Sequence, residues 1–318
     1  MVETIRPARL GLGLDAPLPR FCQDFHTDAV QCHVGDPVGE IQSGEAFAAR
    51  VIAPLQGALG AFADVPEIMI EGDFEGAHFT AVSGYLEGVF AAPLWSVPPT
   101  GRATRLRYGR FDRWMDGRIA ELWLLLDLPV LMIEAGVWPL NRPLGGAATP
   151  PPPRANGLMP DGEGSAQSLA LVEAMIGGLH RFEGGDLAAM GMRDFWTDDF
   201  GWYGPAPIGI ARGHEDYERA HQRPFLTAFP DRVGGDHKAR FAQGAFVAST
   251  GWPSIRATHM GDGWLGLPAT GNAVTMRVMD FWACARGRIA QNWVMIDIPH
   301  LVAQIGPDVF AALETADG

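Results

Sequence analysis

Gly287-Arg288-Ile289-Ala290-Gln291-Asn292-Trp293-Val294-Met295-Ile296-Asp297-Ile298-Pro299 has a second copy in the chain, Gly117-Arg118-Ile119-Ala120-Glu121-Leu122-Trp123-Leu124-Leu125-Leu126-Asp127-Leu128-Pro129. The two stand 170 residues apart, 117 against 287 and 127 against 297, and the offset holds from Pro98/Pro268 to Gly136/Gly306. Inside that window Thr100-Gly101, Arg107, Phe111, Leu131 and Gly136 also recur, as Thr270-Gly271, Arg277, Phe281, Leu301 and Gly306. Chance does not keep a gap-free register over such a stretch, so the chain reads as two tandem copies of one domain.

Each copy is predicted to run from a turn into a long strand, a carboxylate and a helix. The two-residue period of a strand puts Ile289, Gln291, Trp293, Met295 and Asp297 on one face and Ala290, Asn292, Val294 and Ile296 on the other. Both faces are largely apolar, the pattern of a strand covered on both sides. One face is expected to line a core or cavity. The other is expected to pack on a second element, most economically the sister copy in a pseudo-dimer.

Composition narrows the function. With 24 basic and 37 acidic residues the net charge is −13, which argues against a phosphate-backbone or anionic-membrane partner. The three cysteines, Cys22, Cys32 and Cys284, have no metal-ligand spacing, so no metal is expected and a reducing compartment is. No basic start followed by an apolar run appears, and no apolar run reaches the ~18 residues of a membrane span. A cytoplasmic protein is the expectation. The 40 glycines and 25 prolines predict many turns.

Taken in order, residues 1–20 are expected to be an N-terminal arm and 21–140 the first domain. Its helical stripe is Phe47, Val51, Leu55 and Leu59, followed by strands within Ile68–Phe90 and by a hairpin at Met115-Asp116-Gly117. Residues 141–166, with Pro150 to Pro153, are expected to be a linker. The second domain, 167–318, opens on a helix with Ser168 as a candidate cap, then another helix through Trp196, then a third over Gly213–Phe229 that Pro224 should kink or break. Phe241–His259 and Ala273–Cys284 are predicted strands before the organising one. Helices and then a meander of strands, twice, is an α+β pattern.

Thr258-His259-Met260-Gly261-Asp262, Gly266-Leu267-Pro268-Ala269-Thr270-Gly271, Trp293, Asp297, Leu301 and Gln304-Ile305-Gly306 together resemble the SnoaL-like polyketide cyclases of the nuclear transport factor 2-like superfamily. Trp202-Tyr203-Gly204-Pro205, His221-Gln222-Arg223-Pro224-Phe225-Leu226 and Ala228-Phe229-Pro230-Asp231 add to the likeness. It covers nearly all of Leu169–Phe310, and in the first copy chiefly Pro98–Gly136. The resemblance implies two cone-shaped α+β barrels, each with about three N-terminal helices on a strongly curved mixed sheet around a deep apolar pocket. It also implies a cofactor-free aldol closure begun by an aspartate, with Asp297 at that aspartate's place and His259 at the family's histidine.

The residues themselves leave alternatives open. Asp297, in phase with Trp293 and Met295, is either a desolvated general base or a cap on the closing helix; Asp127, behind Trp123, fits the same two readings. His259 could polarise a carbonyl or be a satisfied structural histidine. His221, on a stripe with Tyr217 and Phe225, should point inward beside Gln222. Trp202 and Tyr203 could line a planar aromatic ligand or fill the core. Arg107 and Arg277 read first as ion-pair partners. At the same offset Val89 stands for His259 and Val51 for His221, so chemistry is expected in the second copy. The leading expectation is a cyclase or isomerase acting on an apolar carbonyl compound, without cofactor. An epoxide-hydrolase-like hydrolase and a non-catalytic module binding a hydrophobic or aromatic metabolite are the alternatives, and further homo-association is left open.

Overall fold

A computed structural model describes residues 30–141, 145–146, 149–182 and 185–316; the expected arm, residues 1–20, and Cys22 lie outside them. Contacts divide the chain into two compact units, and the division is not colinear. Residues 156–159 and those from Asp308 onward cluster with the first unit, which otherwise ends at Trp138.

In the first unit β1 (Gln31–Val34) and β2 (Gly39–Gln42) form a hairpin, followed by a helix α1. β3 (Ala63–Phe74), β4 (Ala77–Val89), β5 (Ala103–Met115) and β6 (Arg118–Leu126) make an antiparallel meander closed by α2 (Pro129–Glu134). With β7 (Gly157–Leu158) the sheet order is β2-β1-β6-β5-β4-β3-β7, and β1 runs parallel to β6.

The second unit has the same plan. α3 (Ser165–Leu179) and α4 (Met192–Phe195) precede β8 (Trp196–Tyr203), β9 (Ile210–Arg212) and a third helix, α5. Then come β10 (Val233–Gly234), β11 (His237–Gln243), β12 (Phe246–Thr258), β13 (Ala273–Ala285), β14 (Arg288–Ile296) and α6 (Ile298–Ile305); α7 (Val309–Ala316) clusters with the first unit. The sheet runs β9-β8-β14-β13-β12-β10, with β11 also on β12 and β8 parallel to β14.

The α+β architecture with a mixed sheet is therefore present twice, with corrections. Among the described residues neither sheet closes into a barrel: its end strands, such as the short β9 and β10, do not pair with each other. Of three helices expected before the first meander, the described residues hold one. Phe241–His259 is not one strand but a hairpin that turns at Gly244, where φ is +58°. Ser168 lies inside α3, whose N-cap is Gly164.

Pro224 does not break its helix. α5 is built from Gly213–Tyr217, a wider π turn Glu218–Gln222, and Arg223–Ala228. α1 repeats this as Gly44–Phe47, Ala48–Ile52 and Ala53–Leu59, with Pro54 in the place of Pro224. A proline lacks the N–H and crowds the carbonyl one turn back, and the wider turn absorbs both defects. It also sets His221 and Gln222 on the widened stretch of α5.

The organising strand keeps its expected extent. Arg286-Gly287 and Asp116-Gly117 turn with φ of +53° and +72°, and +52° and +72°; two consecutive positive values make the tight hairpin turn that matches strand twist. β14 is buried on both faces. Its odd-numbered face is covered in part by the expected linker, not a free spacer: Trp293 Nε1 donates to Pro151 O at 3.3 Å, and Arg154 N donates to Gln291 Oε1 at 2.8 Å. Farther along, residues 157–158 form β7 beside β3.

Strand pairing corrects one equivalence. Phe90 N donates to Arg102 O, and His259 N to Asn272 O, so Phe90, not Val89, holds the place of His259. The second copy has one more residue in the loop that follows.

Replacing Gly287 by valine puts a β-branched residue at positive φ, at a cost of about 1–2 kcal/mol or more. Thermal unfolding followed by circular dichroism should show the midpoint of Gly287→Val several degrees lower, while Arg286→Gly is neutral or stabilising.

Candidate active site

The cavity of the second unit is lined by the even-numbered face of β14, Asn292, Val294 and Ile296, not by the face that carries Asp297. The neighbouring strands add Met276, Val278, Asp280 and Trp282 from β13, Ser249 from β12, Arg240 from β11 and Trp202 from β8. α3 contributes Met175, Ile176 and Leu179; α5 contributes His221, Gln222, Phe225 and Leu226. The space is about 450 Å³, within the range of small-molecule sites. A register break in β12 between Gly251 and Ile255 bends the strand and brings Ser254 and Ile255 to the wall.

Register explains which polar groups meet. Arg240 pairs with Ser249, Ser249 with Asp280, and Asp280 with Val294, a single row across the sheet. The next row is Val247, Trp282, Asn292 and Trp202. Asn292 Nδ2 reaches diagonally to donate to Asp280 Oδ1 at 3.2 Å, and also to Phe281 O at 3.2 Å.

Burial among apolar and aromatic groups drives the Asp280 carboxyl up to about 7, against the Asn292 hydrogen bond and the Arg240 charge, which lower it. His221 goes the other way. Burial, assisted by the charge of Arg232, lowers its imidazole to about 3, so it is neutral at physiological pH. The ring stacks on Trp202 at 4.1 Å and 18° and on Phe225 at 5.3 Å and 24°. Its Nδ1 has no hydrogen-bond partner among the described residues, nor does Gln222 Nε2. Titratable groups pushed apart in one cavity are the pattern of an acid–base site.

Of the residues expected from sequence, His221, Gln222 and Trp202 stand on this wall. The others do not. Asp297 is buried at the end of the odd face, where it caps α6 by accepting from His300 N at 3.4 Å and takes Arg277 Nη1 at 3.1 Å. The cap reading is the one that the geometry matches. Trp293 and Met295 share that face; Tyr203 packs on Trp293 at 5.3 Å and its hydroxyl accepts from Gln291 Nε2 at 3.3 Å. Tyr217 lies behind the wall against Trp202 and Trp196, at 5.4 and 6.0 Å. His259 is buried against Phe229, which itself packs on Trp264; its Nδ1 is 3.2 Å from Thr270 Oγ1, and burial lowers its pKa.

Asp280, Asn292, Trp282, Arg232 and Arg240, all on the wall, were not anticipated. The available signal was an acid in the middle of a β13 face whose other members, Met276, Val278 and Trp282, are large and apolar.

The first unit fills the same place differently. Arg110 stands in the register position of Asp280, and its Nε donates to Asp112 Oδ1 at 2.7 Å. Thr80 Oγ1 donates to Asp112 Oδ2 at 3.2 Å. Leu122 replaces Asn292, Cys32 replaces Trp202 and Val51 replaces His221, and all are fully buried. Asp127 pairs with Arg107 at 3.3 Å as Asp297 does with Arg277, and Trp123 stacks on His33 at 5.3 Å.

Residues 180–305 match the family of SnoaL-like polyketide cyclases. That match lies within the second unit. Similar solved structures include a protein of Jannaschia sp. CCS1 provisionally assigned as a SnoaL-like polyketide cyclase, 19% identical over 44% of this chain and 92% of that one, with a TM-score of 0.38. AclR of Streptomyces galilaeus, provisionally a hydroxylase, is 23% identical over 44% of this chain and 96% of its own, TM-score 0.36. IdmH of Streptomyces antibioticus, provisionally a polyketide cyclase, is 24% identical over 43% and 99%, TM-score 0.35. No curated protein matches the chain. Among the described residues no helix is long and apolar enough to cross a membrane.

A carboxyl raised from 3.8 to about 7 favours folding below the lower value and loses that contribution as pH rises through the upper one. His221, lowered from 6.5 to about 3, acts in the opposite sense: its contribution is present above the higher value and lost on acidification. The difference between wild type and Asp280→Asn isolates the carboxyl. Urea unfolding should find the variant more stable at pH 8, by on the order of 3 kcal/mol, with the advantage falling away by pH 4.

Proposed function

We propose that the second unit is a cofactor-independent enzyme in which Asp280 removes a proton from the carbon beside a carbonyl of an extended apolar substrate, opening an intramolecular ring closure. The observation that carries this is a carboxyl with pKa about 7 on the wall of an aromatic-lined cavity that also presents a neutral, unpartnered histidine. The match to the SnoaL-like polyketide cyclases supports the same class of chemistry.

In this reading the C–H bond breaks, its proton goes to the Asp280 carboxylate, and the electron pair moves onto the carbonyl oxygen. The His221 imidazole is the donor placed to stabilise that enolate, while the Asn292 amide, donating to Asp280 Oδ1 and Phe281 O, holds the carboxyl in position. The enolate carbon then attacks a second carbonyl of the same molecule, a C–C bond forms, and the new alkoxide takes the proton back from Asp280. A base whose pKa lies near working pH suits both transfers. The chain is then a tandem repeat in which the first unit, where Arg110 is paired with Asp112, is a non-catalytic copy. Asp297 is structural in this account.

Proton abstraction can be measured without the natural substrate, by NMR of hydrogen–deuterium exchange at the α-carbon of 2-tetralone in D2O. The wild type should accelerate exchange, Asp280→Asn should lower that acceleration by about 100-fold, and Asp297→Asn, assayed where it is folded, should keep most of it. Binding of 2-tetralone with no acceleration would leave a non-catalytic binding module. Equal losses in the two variants would contradict the assignment of the base.

A further inference from the structure

Two guanidinium groups on the cavity wall have no ion-pair partner among the described residues. Arg232, just before β10, donates from Nη2 to Leu179 O at 2.9 Å and lies over the Phe182 ring at 5.3 Å. Arg240, on β11, donates from Nε to Ser249 Oγ at 3.4 Å and touches His237 Nε2 through Nη2. Neither forms a salt bridge, whereas three other arginines of these sheets, Arg107, Arg110 and Arg277, each hold a carboxylate at 2.7–3.3 Å. Arg232 Nε and Nη1 and Arg240 Nη1 have no acceptor, and none of these atoms is sealed from the cavity or solvent. A cation left half-buried beside apolar groups is costly unless an anion completes it.

The nearby acids do not complete it. Asp280 shares the row of Arg240 without a salt bridge and is only partly ionised near neutrality; Glu173, which also acts on Arg240, is exposed. The wall beside the two arginines also includes Val233, Gly234, Gly235, His237, Ser254 and Ile255, none of which offers a negative charge. Opposite stands the aromatic surface of Trp202, Phe225 and Trp282.

We infer that the substrate of this cavity is an aromatic carboxylic acid, its ring system against Trp202 and Trp282 and its carboxylate held by Arg232 and Arg240. The inference rests on the cavity being the substrate site proposed above, and it makes a free acid the preferred substrate over an ester or a neutral ketone. Planar guanidinium groups match a carboxylate's two oxygens. The anion anchors one end of the molecule, so the reacting carbon is presented to Asp280 in one orientation.

The test is a titration of the full chain with anthraquinone-2-carboxylate and with its methyl ester, followed by tryptophan fluorescence. The acid should bind at least tenfold more tightly, and the preference should shrink as salt rises. Arg232→Gln and Arg240→Gln should each weaken acid binding by about tenfold and leave the ester unchanged, with Arg→Lys intermediate. Equal affinity for acid and ester, failure of both to bind, or a preference that survives both Gln substitutions overturns the inference. The comparison on the unaltered protein stands even if a variant does not fold. An acid preference together with normal proton exchange in Asp280→Asn would sink the proposed chemistry alone. Loss of exchange in that variant with no acid preference would sink the carboxylate subsite alone.

Discussion

Desolvation of one carboxylate is the constraint on which the site depends. Asp280 projects from β13 into the same space as Val278 and Trp282, and it accepts a hydrogen bond from the Asn292 amide, a neutral donor that holds the group without fixing its charge. In the first unit a guanidinium takes that place instead, and Arg110 pairs with Asp112 at 2.7 Å. The two units thus show two solutions for a polar group inside one sheet. One pairs it with a guanidinium; the other leaves it beside open space.

The repeated features and the divergent ones separate along physical lines. Arg107–Asp127 and Arg277–Asp297 recur because each ties the end of the organising strand to the strand beside it and to the turn of helix that follows. Pro54 and Pro224 recur with their wide turns for an equally structural reason. The positions that differ, Arg110 against Asp280, Leu122 against Asn292, Val51 against His221 and Cys32 against Trp202, all lie on the inner faces that enclose the cavity in the second unit. Recurrence marks what the fold needs, and divergence marks what one unit does.

This explains what the sequence disclosed and what it concealed. The strand extents and the tight Gly117 and Gly287 turns were legible because period-two patterning and turn chemistry are local. The phase of β14 was not, because Trp293 and Val294 are both apolar and both buried, one under the Pro151 segment and one at the cavity. Periodicity finds a buried strand but cannot say which of two buried faces meets empty space. Asp297 therefore reads as the catalytic candidate in sequence, whereas the cavity carries a carboxylate seventeen positions earlier on the neighbouring strand. Asp280 itself carries no motif; only its apolar neighbours at i ± 2 betray it. His221 was legible because the stripe it shares with Tyr217 and Phe225 has an unambiguous inward side.

Site-specific titration of Asp280 tests this account most directly. Carbon-13 NMR of aspartate-labelled protein, with the Asp280 carboxyl assigned as the signal lost in Asp280→Asn, should give a midpoint near 7, with the group still protonated at pH 5. A midpoint near 4, the ordinary carboxylate value, would mean that the carboxylate is solvated or paired, and would contradict the claim that this cavity holds a poised base.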